Sequence, residues 1–176
     1  MSSNTQSTKT AEDWFQEGLA ASKLKDGRTA MESYKTAVKM DPDHFLAQFN
    51  LGIRYGKVLM NLEAAECFRQ SLRVKPDAPM VHYSLAVVSN LIGETDEAFK
   101  HYEEAIRINP EFARAHSNLA MMHYSVKRGR EAIHHLMKAA EQFEKTGDEF
   151  MQNNARDLIQ ECSKEFNLTE EECRTL

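Results

Sequence analysis

The chain has 176 residues, a net charge of −5 and a pI of about 5.8, with acidic and basic residues mixed along its length. That length holds one domain with a real core and hardly a second. The lack of a basic footprint argues against nucleic-acid binding. The longest apolar run, Leu85 to Val88, is far too short to cross a bilayer, so no membrane insertion is expected.

The amino terminus is Ser/Thr-rich with no apolar segment behind it, which does not read as a secretory signal, and residues 1–10 are expected to form a flexible tail. From there a 34-residue step governs the chain. Pro42, Pro76 and Pro110 follow it, as do Ala30, Ala64, Ala98 and Ala132, and Tyr34, Phe68, Tyr102 and Leu136. A fixed period in this range marks a stack of identical supersecondary units. The copies fall at 11–44, 45–78, 79–112 and 113–146. Each holds two helical patterns around a short break: Lys25-Asp26-Gly27, Met60-Asn61, Gly93-Glu94-Thr95 and Lys127-Arg128-Gly129. Glycine in three of these breaks is expected to supply the left-handed conformation that ends a helix.

In the first helix of each copy, spacings of 3, 1 and 3 put one stripe on one face. It comprises Trp14, Gly18 and Ala21; Gln48, Leu51, Gly52 and Tyr55; His82, Leu85, Ala86 and Ser89; and His116, Leu119, Ala120 and His123. Gly18 and Gly52 each cost helix propensity, about 1 kcal/mol against Ala, which makes sense where a second helix crosses too close for a side chain. The second helices supply that partner with small residues around a central aromatic, as in Ala30, Tyr34 and Ala37. The prolines then stop the second helix and push the preceding residue to extended backbone.

These residues resemble the tetratricopeptide repeat, whose signature Trp14, Gly18, Ala30, Tyr34, Ala37 and Pro42 reproduce in the first copy. The resemblance covers about 11–144 and implies an all-α fold, a right-handed α-solenoid of antiparallel helix pairs. Glu17 and Glu144 depart from the pattern, one near each end. After the repeats, 147–176 reads as a capping helix and short tail. Asp148 is its N-cap, and Phe150, Met151, Ala155, Leu158, Ile159, Cys162 and Phe166 form its apolar face. Thr169 with Glu172 fits a cap for a short final turn.

The first helices carry a second apolar stripe about 130° round from the first. Its residues are Phe15 and Leu19; Leu46, Phe49 and Ile53; Met80, Tyr83, Val87 and Leu91; and Met121 and Tyr124. The resemblance places this stripe on the concave face. So many apolar side chains exceed the exposed patch of an ordinary soluble monomer, and they point to a groove for an apolar peptide or amphipathic helix, with Phe49, Tyr83 and Ile53 as anchors. The family is also known for a Lys/Asn/Arg clamp on acidic C-termini. Here Phe15, Leu19, Met80 and Ser84 occupy clamp positions and only Asn50 matches, while a register shift offers Arg114 and Asn118 as a partial fit. Apolar binding is the better expectation.

Cys67, Cys162 and Cys173 are odd in number and lack CxxC spacing, which suggests reduced thiols and a cytoplasmic setting, and leaves the Asn167-Leu168-Thr169 sequon unused. The histidines read as packing residues, with zinc disfavoured for want of converging ligands. There is no Gly-rich phosphate loop, GxSxG or HExxH. The expectation is a protein that is not an enzyme, needs no cofactor and binds another protein or peptide. A dedicated chaperone for a hydrophobic client, or a homo-oligomeric scaffold whose groove takes a neighbour's tail, would use the same surface.

Overall fold

The computed structural model describes residues 9–176, which form nine α-helices and a short 3-10 turn, with no strand among them. Most of the expected tail, residues 1–8, lies outside the described residues. Thr10 is already the N-cap of the first helix, in a reciprocal capping box with Asp13. The chain divides into two compact units, one ending at Gly93 and one running from Glu94 to Leu176.

The first unit holds α1 (Ala11–Lys23), α2 (Gly27–Met40), α3 (Phe45–Lys57), α4 (Asn61–Val74) and α5 (Pro79–Leu91). Each helix packs on the next in sequence, and α3 also touches α5. The short turns within pairs make neighbours antiparallel. A Cβ added to Gly52 would stand 2.6 Å from the Phe68 ring, and one on Gly18 would likewise collide with Tyr34. The glycines therefore admit the aromatic of the partner helix, as their spacing predicts. Ala30, Tyr34, Ala37, Ala64, Phe68 and Ser71 are all buried.

The residues before the prolines, Asp41, Lys75 and Asn109, are extended, with φ of −136°, −134° and −130°. The structure adds a bond that packing alone did not anticipate. The Nε2 atoms of Gln48 and His82 lie 3.0 and 2.8 Å from the carbonyl oxygens of Pro42 and Pro76, and His116 Nε2 lies 3.0 Å from that of Pro110. A carbonyl only accepts, so each nitrogen donates. The proline that ends one pair is thus tied, on the same 34-residue step, to the helix that opens the next.

The breaks work differently from the glycine expectation. The left-handed residues are Lys25, Leu59, Gly93 and Lys127, again 34 apart, and only one of them is glycine. Gly27 and Gly129 instead open α2 and α8.

The second unit holds α6 (Thr95–Ile108), α7 (Ala113–Ser125), α8 (Gly129–Thr146), α9 (Glu149–Phe166) and the 3-10 turn (Glu171–Cys173). Here too consecutive helices pack together. Asp148 accepts from the Met151 amide at the start of α9, and Ala155, Ile159 and Cys162 are buried against α8. Phe150 departs from the expected face: it is 78% exposed, and Gln152 is buried instead. The Phe166 ring sits over Gly129, where any Cβ would collide with it. Thr169 and Glu172 bond reciprocally around the last turn, which seats Cys173 in the core with its carbonyl accepting from His134 Nδ1 at 2.9 Å.

Candidate protein-binding surface

The second stripe divides by burial. Phe15 is 3% exposed, with its ring centroid 4.9 Å from His44 and 6.0 Å from Tyr34. It is a core residue and leaves the candidate surface. The reason lies at the N-cap of α3, where His44 accepts from the Ala47 amide through Nδ1 and bonds Glu12 through Nε2. That imidazole lies over Phe15. The position 34 residues on is Ala78, too small to cover Phe49 in the same way, and Phe49 stays half-buried.

On α3 and α5, Phe49 and Ile53 pack against the core cluster of Phe68, Val81, Leu85 and Val88 with part of each side chain still open, and Phe49 lies 5.9 Å from the Phe68 ring. Tyr83, Val87 and, on α1, Leu19 are half-buried as well. Leu46, Met80 and Leu91 stand well out, at 46%, 51% and 62% exposure. The first unit thus carries a half-buried apolar floor with exposed apolar residues around it. The Asn50 amide donates to the Leu46 carbonyl at 2.8 Å, a bond within its own helix.

In the second unit, α7 leaves Arg114 and Met121 exposed. Asn118 donates to the Tyr102 hydroxyl at 3.1 Å. Tyr124 is engaged by α9: its ring meets Phe166 edge-on at 5.8 Å, its hydroxyl bonds Glu165, and Lys127 pairs with Glu165 at 2.7 Å. Tyr124 is thus held by α9 while remaining half-buried. Glu165 is held below the usual carboxylate range by Lys127 and Tyr124.

The histidines of this unit form a stack in which His116 and His123 are buried and His134 and His135 half-buried. His116 Nε2 donates to Pro110, so in the neutral ring Nδ1 accepts, and the donor 3.0 Å away is His135 Nδ1. His123 stacks on His135 at 5.5 Å and 7°, with its own Nδ1 buried and unbonded. Burial, then the neighbouring imidazoles, push His135 down to about 3. No group of three or more His, Cys, Asp or Glu among the described residues is placed to hold a metal ion. The cysteines are buried free thiols, and burial pushes Cys67 up to about 12, far from the thiolate that nucleophilic chemistry requires.

A tetratricopeptide repeat model matches residues 11–44 and a second TPR repeat model matches 91–126. This is a tetratricopeptide-repeat protein. Its fold is shared with a crystal structure of MamA protein, at a TM-score of 0.70 and 18% identity over 88% of this chain and 90% of that one. MamA from Desulfovibrio magneticus RS-1 gives 0.63 and 20% over 84% and 77%. YrrB, titled a TPR protein with an unusual peptide-binding site, gives 0.71 and 19% over 89% and 82%. No curated protein matches the chain in sequence.

The tetratricopeptide repeats also carry an apolar position that the stripe analysis passed over. The residues that follow the first helix of each pair, Leu24, Val58, Ile92 and Val126, keep the 34-residue step and are all apolar. Leu24 and Val58 are 82% and 55% exposed. The period itself was the signal. It was missed because these residues sit in the breaks, where polar residues are the rule.

Proposed function

We propose that the protein is a non-enzymatic interaction module that binds an apolar peptide or amphipathic helix on α3 and α5 of its first unit. The tetratricopeptide repeat is a protein-interaction fold, and the observation that carries the finer reading is the exposure of Leu46, Met80 and Leu91 beside the half-buried Phe49 and Ile53. Full burial of a large apolar side chain contributes about 1.5–3 kcal/mol. Three half-exposed ones contribute about half of that each, about 2–4.5 kcal/mol together, so after association costs the site is a weak one, millimolar or above. Phe49 and Ile53 shape the floor, while the exposed residues carry the contact. On the second unit, α7 offers Arg114 and Met121 as exposed positions of its own.

The test is a titration of isotopically labelled protein with a neutral amphipathic helical peptide rich in Leu and Gln. Amide shifts should concentrate on α3 and α5 and disappear in the Leu46→Asp/Met80→Asp variant, whose substitutions sit in exposed positions and leave helicity unchanged. Shifts that survive this variant, or that map away from α3 and α5, would overturn the reading.

A further inference from the structure

We propose that the first unit has a second, independent docking surface, at the turn edge where α2 begins and α3 ends, and that its partner is an acidic segment carrying an apolar side chain. A cavity of about 370 Å³ lies there, lined by Gly27, Arg28, Met31, Arg54, Lys57 and Val58. Its apolar walls are Met31 and Val58, and its charged lining is cationic throughout. Gly27 keeps the opening clear: a Cβ there would stand 3.2 Å from an Arg54 guanidinium nitrogen.

Charge segregation says what fits. Residues 23–31 and 54–62 hold five cations (Lys23, Lys25, Arg28, Arg54 and Lys57) against one carboxylate, Asp26, in a chain of net charge −5; the next carboxylates are Glu32, paired with Lys35, and Glu63. Asp26 is already engaged, accepting from the Thr29 amide at the N-terminus of α2. Among the described residues no ion pair is made by these five cations, although, behind the hydrogen bonds from Thr29, the charge of Arg28 helps hold the Asp26 carboxyl below its ordinary range. Counter-charges supplied by a partner would meet them without breaking an existing pair.

Apolar exposure at the same edge is extreme. Leu24 and Leu59 are 82% and 80% exposed, and Leu62 is 67% exposed. Leu59 is also held at φ +62°, a conformation costly for a bulky side chain and one that Gly93 fills without strain at the equivalent position. Lys25 and Lys127 share that conformation at the equivalent positions, so the turn demands it of the repeat; what is particular to Leu59 is an apolar side chain left almost wholly in solvent.

The equivalent cavity of the second unit sharpens the assignment. Its lining, 68 residues on, includes Phe99, Val126 and Arg128 together with Asp96 and Glu103, and Arg128 lies 5.9 Å over the Phe99 ring. There the carboxylates are built in and the arginine is occupied. The same fold position is thus mixed in one unit and purely cationic in the other, so the anion preference belongs to the residues of the first. Concavity favours a peptide: a half-open hollow with apolar walls takes one side chain, whereas a lipid surface needs only protruding tips.

The experiment uses the full chain and a fluorescein-labelled peptide of alternating Asp and Leu, with its Asn/Leu counterpart and phosphatidylserine/phosphatidylcholine vesicles as comparators. Saturable anisotropy is expected with the acidic peptide, at least tenfold weaker with the Asn peptide. It should weaken at least tenfold in Arg54→Glu/Lys57→Glu, and stay unchanged in Leu46→Asp/Met80→Asp. Retention of binding in the charge-reversal variant, loss in the α3/α5 variant instead, or sedimentation with vesicles in the absence of peptide binding would each overturn the proposal. Because the two variants report on different surfaces, failure of the α3/α5 reading leaves this result interpretable.

Discussion

The histidine stack of the second unit makes stability pH-dependent in a direction that follows from its geometry. His135 accepts a proton at about 3 in the folded chain against about 6.5 for a free imidazole, because, half-buried, it loses much of its hydration beside His116, His123 and His134. Burial lowers His116 and His123 as well. Around them, Glu131 is the carboxylate that favours a charged His123, while Arg128 and Lys138 oppose charge on the stack and Phe99 covers His123 at 5.1 Å. A depressed histidine leaves the unfolded chain binding more protons as pH falls, so stability is full above about pH 6.5 and declines below it. Between pH 7.5 and 5.0 the unfolded imidazole gains about 1.5 pH units of protonation that folded His135 does not share, which is about 2 kcal/mol from this residue alone. Urea unfolding followed by circular dichroism at the two pH values measures it. His135→Asn keeps an N–H donor near the Nδ1 position without titrating, so its own loss between the two pH values should be smaller than the wild type's by about that amount, whatever its stability at neutral pH. Equal losses in the two proteins would refute the reasoning.

Three further outcomes are expected from the packing. Gly52→Ala drives a Cβ into the Phe68 ring and should cost about 1–3 kcal/mol, whereas Gly56→Ala, with nothing within 4 Å of the added atom, should stabilise α3 by up to about 1 kcal/mol; thermal melts of the pair separate crowding from helix propensity. His82→Leu removes the donor to the Pro76 carbonyl and should cost about 1 kcal/mol in urea unfolding, with a comparable cost for Gln48→Leu at Pro42. Phe166→Ala uncovers Gly129 and the edge of Tyr124 and should cost about 2 kcal/mol or more, read as faster amide exchange in α9 than in α6.

The architecture was legible because its determinants are periodic and local. Gly18 and Gly52 announce a close crossing by their propensity cost, and Asp41-Pro42 announces a stop by sterics; both act through residues adjacent in sequence or within one repeat. What escaped depends on which side chain happens to stand one period away. Phe15 and Phe49 share a register and a residue type, yet one is sealed by His44 and the other left partly open by Ala78. Tyr124 was assigned to an open face by its register, and it is α9, outside the period, that engages it through Glu165 and Phe166.

The glycine rule failed for a related reason. It located the breaks and held at Gly93, but elsewhere it attached the left-handed turn to Gly27 and Gly129, where Lys25 and Lys127 adopt it, as Leu59 does in a break without glycine. A stack can impose that conformation because both flanking helices are fixed by their own packing, so the turn must span whatever gap they leave. Glycine at 93 relieves the strain; lysine at 25 and 127 accepts it and keeps its charge in water. Leucine at 59 gains neither benefit. If it serves only the turn, Leu59→Gly should raise stability by about 0.5–1 kcal/mol and leave peptide binding untouched. If it serves the cationic edge, the same substitution should raise stability and weaken the acidic peptide together, and that joint shift separates a turn residue from a contact residue in a single variant.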